Sequence, residues 1–102
     1  MAAPGSRIGK KAKNDDFYKA ILLLKDEEEC YSFFRDVCMQ TELRAMEQRF
    51  EVARLLTKGM VYNEILERTG ASSATISRVA RSLNDSTGGY DRVFERMNDG
   101  KL

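Results

Sequence analysis

From Ala71 to Leu83 the chain carries no acidic residue, yet one side of this stretch presents Ala74, Ser77, Arg78 and Arg81. Small and hydroxyl side chains beside two guanidinium groups suit the binding of a polar, anionic surface rather than the breaking of bonds. Catalysis has little to work with. The chain has no His, no Gly-rich phosphate loop, no cysteine pair at metal-ligand spacing and no nucleophile motif. No enzymatic activity, metal site or cofactor is expected.

The elements that must position this face can be read from spacing. Ile76, Val79, Ala80 and Leu83 fall at i, i+3, i+4 and i+7, one apolar stripe of an α-helix. Ser72, with Ser73 behind it, is a good N-cap for that helix. Upstream, Ile65 and Leu66 form a short apolar face on a helix predicted to end near Arg68. Gly70 then supplies a position that can take φ > 0 and turn the chain. Residues 60–83 therefore read as helix, tight turn, helix. This is a helix-turn-helix, whose second helix can enter the major groove of DNA.

At 102 residues the chain is expected to form one domain with a single core. Its one Pro is at position 4, and no β-branched alternation reaches strand length, so the expected class is all-α. The net charge of +1 hides an asymmetry. Residues 1–14 hold Arg7, Lys10, Lys11 and Lys13 and no acid, and read as a flexible basic arm. Such an arm is either a solvated tail or a segment lying on phosphates. The next stretch is rich in acids: Asp15, Asp16, Asp26, Glu27, Glu28 and Glu29. No apolar run approaches the ~20 residues of a membrane span, and no signal-peptide pattern is visible; a cytoplasmic protein is expected. On one continuous helix, Cys30 and Cys38 would lie about 12 Å apart along the axis, too far for a disulfide. Buried, reduced thiols are expected.

In chain order, Asn14 or Asp15 can cap a first helix to about Lys25, with Phe17, Ile21 and Leu24 on one face. The acidic run 26–29 suits the N-terminus of a second helix carrying Phe33, Phe34, Val37 and Cys38. After the connector 39–41, a long third helix reaches Leu56–Lys58, with Leu43, Met46, Phe50, Ala53 and Leu56 at core spacing. Gly59 sits where a C-cap glycine belongs. On this helix Glu42, Arg44, Glu47, Gln48, Arg49, Glu51 and Arg54 read as solvent-facing. Residues 84–89 form a turn-rich linker, 90–97 a short last helix with Val93, Phe94 and Met97 apolar, and 98–102 a frayed end.

The run Gly70-Ala71-Ser72-Ser73-Ala74-Thr75-Ile76-Ser77-Arg78, preceded by Leu55-Leu56 and followed by Ser82-Leu83, resembles the Trp repressor family. The fuller pattern TGASSATISR…SLN…GGY, with QRFEVARLL upstream, is closest to its YerC/YecD-like branch. The resemblance spans about residues 15–97. It implies a six-helix, all-α chain whose N-terminal helices (15–58) interlock with those of a second copy. That homodimer would present two helix-turn-helix heads to a pseudo-palindromic operator in double-stranded DNA, with half-sites about one turn apart. Carried over position by position, the base-reading residues are Ser73, Ala74, Thr75 and Ser77. Tyr62 and Asn63 match first-helix positions near phosphates or base edges, and Arg78 and Arg81 are the candidates for charged DNA contacts.

The family's tryptophan pocket is only partly matched. Arg78 corresponds to one of two arginines that press the indole, and Ser82 to the residue meeting the amino group. The pocket glycine is replaced by Val79, whose branched side chain is expected to fill the space and complete the apolar stripe. The second arginine falls on Gln48, with Arg49 one residue and about 100° of helix rotation away. Arg49, Arg78, Val79 and Ser82 thus outline an effector pocket in which tryptophan is not expected to serve as corepressor. A further departure is Val61, which stands where a Ser or Thr cap would precede the first helix of the motif. Two alternatives stay open: a homodimeric interaction protein that keeps the fold without operator binding, and a repressor answering to a different small effector.

Overall fold

The computed structural model describes residues 13–85 and 87–98. Among these the chain is all-α: α1 (Asp15–Ile21), α2 (Glu27–Val37), α3 (Gln40–Thr57), α4 (Tyr62–Thr69), α5 (Ser73–Asn84) and α6 (Gly89–Arg96). Most of the basic arm and the end beyond Asn98 lie outside the described residues. Lys13, the one described cation of the arm, donates to Asp15 at 2.7 Å. That bond and the neighbouring carboxylate charge hold its pKa above the ordinary lysine value. The chain divides into two compact units, Met1–Met39 and Gln40–Leu102.

In the first unit, Asn14 caps α1 by accepting from the Phe17 amide at 3.1 Å. The helix stops at Ile21, four residues short of the expected Lys25. The cause lies downstream. Asp26 caps α2 by accepting from the Glu29 amide, while the Glu29 carboxylate accepts from the Lys25 amide, each at 2.9 Å. This reciprocal pair resembles a capping box and holds Asp26 extended, so the preceding helix must unwind. The chain does so through i→i+3 bonds from Leu23 to Ala20 and from Leu24 to Ile21. Phe17 meets Phe33 with ring centroids 6.1 Å apart. Neither α1 nor α2 contains a buried residue. Cys30 is exposed and Cys38 half-buried, so the expectation of two buried thiols fails for Cys30, and neither forms a disulfide.

The second unit has a true core. Val52, Ala53 and Leu55 from α3, Ile65 from α4, Ala71 from the turn, Ile76 and Val79 from α5 and Phe94 from α6 are all buried. The stripe predicted for α5 is in place, with Ala80 and Leu83 half-buried beside Ile76 and Val79. On α3 the expected face is buried in its C-terminal half, where Ala53 lies in the core and Phe50 and Leu56 pack against it. The buried set is Val52, Ala53 and Leu55, while Met46 is exposed and Leu43 only half-buried. This helix carries apolar residues on two sides, and periodicity alone cannot say which one meets α4 and α5. Gln48, Glu51 and Arg54, expected in solvent, are half-buried.

Helix ends follow the local code. After α3, Gly59 has φ +88°, its N–H donates to Leu56 O, and the Met60 N–H reaches back to Leu55 O. This is the Schellman pattern. Gly70 has φ +74° and ends α4, its N–H donating to Leu66 O at 2.9 Å. Val61 precedes α4 without a side-chain cap, as its apolar side chain requires. Ser72 caps α5 by accepting from the Thr75 amide at 3.1 Å. Ser72→Ala should therefore cost about 1 kcal/mol of unfolding free energy. The check is urea unfolding, where the midpoint should fall at unchanged slope.

Candidate nucleic-acid interface

The buried stripe of α5 fixes what its other face can do. With Ile76 and Val79 held in the core, Ser73, Ala74, Ser77, Arg78 and Arg81 are turned outward and exposed. Thr75 is half-buried: its amide donates to Ser72 Oγ, and its hydroxyl accepts from Ser72 Oγ at 3.1 Å. One of the proposed readers is thus also part of the cap.

A cleft of about 540 Å³ opens between α3 and α5, lined by Ala45, Gln48, Arg49, Ala74, Thr75, Ser77, Arg78 and Arg81. Three guanidinium groups meet there and no acidic side chain lines it, so the local potential is positive although the chain is nearly neutral. A second cavity, about 740 Å³ and mostly apolar, is bounded by Phe50, Arg78, Arg81, Ser82, Asp85, Thr87, Gly89, Tyr90 and Val93. Tyr90 stacks on Phe94 at 5.7 Å, and Phe50 packs against the same ring at 5.4 Å.

The cleft brings together five of the residues expected to meet DNA: Ala74, Thr75, Ser77, Arg78 and Arg81. Tyr62 and Asn63 are exposed in the first turn of α4 and do not line it. The residues expected to form one effector pocket are separated. Arg49 and Arg78 share the cleft, Arg78 and Ser82 share the second cavity, and Val79 lines neither. Val79 is 2% exposed and packed among core residues, so it completes the stripe. Arg49 is not rotated away. The cleft is wide enough to be lined by both Gln48 and Arg49.

Gln48, expected to face solvent, makes a contact that spacing did not foresee. Its Nε2 donates to the Thr69 carbonyl at 3.1 Å, tying α3 to the turn of the helix-turn-helix. A signal existed. Gln48, Val52 and Leu55 fall at i, i+4 and i+7, so a polar residue stands on an otherwise buried stripe.

Comparison with known proteins gives a consistent set of relatives. A family model described as Trp repressor protein matches residues 12–98. The uncharacterised protein YerC of Bacillus subtilis (strain 168) is 47% identical over 85 residues, covering 83% of this chain and 82% of YerC. The crystal structure of a TrpR-like protein from Eubacterium eligens ATCC 27750 superposes with a TM-score of 0.80 at 55% identity. That match covers 86% of this chain and 89% of the other. A candidate Trp repressor from Staphylococcus aureus gives a TM-score of 0.80 at 44% identity, covering 82% and 84%.

Proposed function

Because the chain belongs to the Trp repressor family, we propose that it is a cytoplasmic, DNA-binding transcriptional regulator, most simply a repressor, that docks as a homodimer on a pseudo-palindromic operator. The observation that carries this reading is the acid-free cleft, where Arg49, Arg78 and Arg81 converge with Ala74, Thr75 and Ser77 on the open face of α5. Guanidinium groups supply phosphate contacts, and short side chains let the helix approach base edges directly or through water.

Dimerisation is supported by what the first unit lacks. Its helices bury no residue, and Leu22 and Leu23 are 82% and 75% exposed. Apolar side chains so placed call for a cover, and a second copy supplies it symmetrically. Met46 on α3 is also exposed, at 40%.

Regulation without tryptophan is part of the proposal. At the position the family gives to its pocket glycine stands Val79, committed to the core. At that of an indole-pressing arginine stands Gln48, already bonded to Thr69. No helix among the described residues is long and apolar enough to cross a membrane.

The test is selection from a pool of fragments of the source genome, without added ligand. Enrichment of fragments sharing a pseudo-palindromic site is expected. A pool that stays unselected would turn the reading towards a helical interaction protein.

A further inference from the structure

The reading head of this chain is tied to α3 by the chain's own atoms. Thr69 closes α4, and its carbonyl is one of the acceptors a helix end leaves without an intrahelical partner. Gln48 supplies that partner from α3 at 3.1 Å, across 21 residues of sequence. The orientation of the carboxamide needs no choice, since a carbonyl only accepts and the nitrogen must face it. Thr69 also works through its hydroxyl, which donates to Ile65 O at 2.7 Å and accepts from the Ala71 amide at 3.1 Å. Ala71 is buried, and the next residue, Ser72, caps α5. A continuous path therefore runs from α3 through the turn to the first residues of the reading helix.

We propose that Gln48 is a positioning residue, which sets the angle of α5 against α3 through the Thr69 carbonyl and keeps the head in its docking geometry without a small molecule wedged between the helices. The apolar core holds α4 and α5 against α3 but tolerates sliding, because burial is non-directional. A hydrogen bond is lost within a few tenths of an ångström and some tens of degrees, so Gln48 adds the register that the core lacks. For its consequence at DNA the proposal rests on the operator-binding reading. For its structural content it does not.

The test compares the wild type with Gln48→Met, which keeps length and apolar stem but has no donor, and with Gln48→Glu. Amide exchange is followed residue by residue, alongside affinity for the selected DNA fragment. In Gln48→Met, exchange at Gly70 and Ala71 is expected to rise roughly five- to tenfold, the scale of one hydrogen bond, while Val52 and Leu55 on α3 stay as in the wild type. DNA affinity should fall by a similar factor. Gln48→Glu should behave alike at neutral pH, where a carboxylate has no proton to give. It should regain protection near pH 4, as the carboxyl group acquires one. A merely structural role would raise exchange in α3 and the turn together, with no recovery on acidification. Unchanged exchange at Gly70 and Ala71 in both variants would overturn the proposal. If exchange responds as expected but the wild type selects no DNA, the positioning contact stands and the operator reading falls.

Discussion

Removing both guanidinium groups from the exposed face of α5, as Arg78→Ala combined with Arg81→Ala, is expected to lower DNA affinity by about a hundredfold or more. Each arginine is exposed on α5 and lines the same acid-free cleft. A charge-assisted hydrogen bond contributes roughly 1.5–3 kcal/mol, and two of them at the low end give about two decades. The loss should also appear in the salt dependence. Each phosphate contact removed takes ~0.9 from the slope of log affinity against log salt. Folding should be untouched, because exposed substitutions of this kind usually stay within about 0.5 kcal/mol. Affinity is read from anisotropy titrations at several salt concentrations, and folding from urea unfolding. An unchanged slope with reduced affinity would place the arginines on bases rather than phosphates. No change in either would remove them from the interface.

The second large effect concerns the scaffold. Ile76→Ala is expected to destabilise the helix-turn-helix by about 2–5 kcal/mol, the range for truncating an enclosed aliphatic side chain. Ile76 is fully buried between α3 and α4, among Val52, Ile65 and Val79. Alanine's better helix propensity returns only a few tenths of a kcal/mol. Against a net stability of roughly 5–15 kcal/mol for a whole domain, a loss of this size leaves a substantial unfolded fraction on modest warming. Ser77→Ala, one residue away on the exposed face, is the control and should shift the urea midpoint very little. A loss below about 1 kcal/mol for Ile76→Ala would mean that this site collapses without a cavity.

The two effects separate what was legible in the sequence from what was not. Features written locally were readable: Asn14 and Ser72 as caps, Gly59 and Gly70 as helix stops, and the Ile76–Leu83 stripe that decides which face of α5 is free. Each depends on residues within one or two turns of one another. Features depending on distant partners were not. The end of α1 at Ile21 was set by a cap several residues downstream, and the burial of Val52 and Leu55 on α3 by where α4 and α5 happen to lie. Val79 shows both sides of this. Its place on the stripe was clear, but its absence from the cleft follows from the packing of three helices. Spacing alone makes Gln48 a solvent-facing polar residue, because its partner is a backbone carbonyl 21 residues away and side-chain spacing carries no information about carbonyls.

The measurement that bears most directly on the regulator reading is fluorescence anisotropy of the wild-type protein with its selected genomic fragment. It would be run at two salt concentrations, each with and without tryptophan. Saturable binding without tryptophan, falling steeply as salt rises and unmoved by the amino acid, is the predicted result. Binding that appears only when tryptophan is added, or that ignores salt, would contradict it.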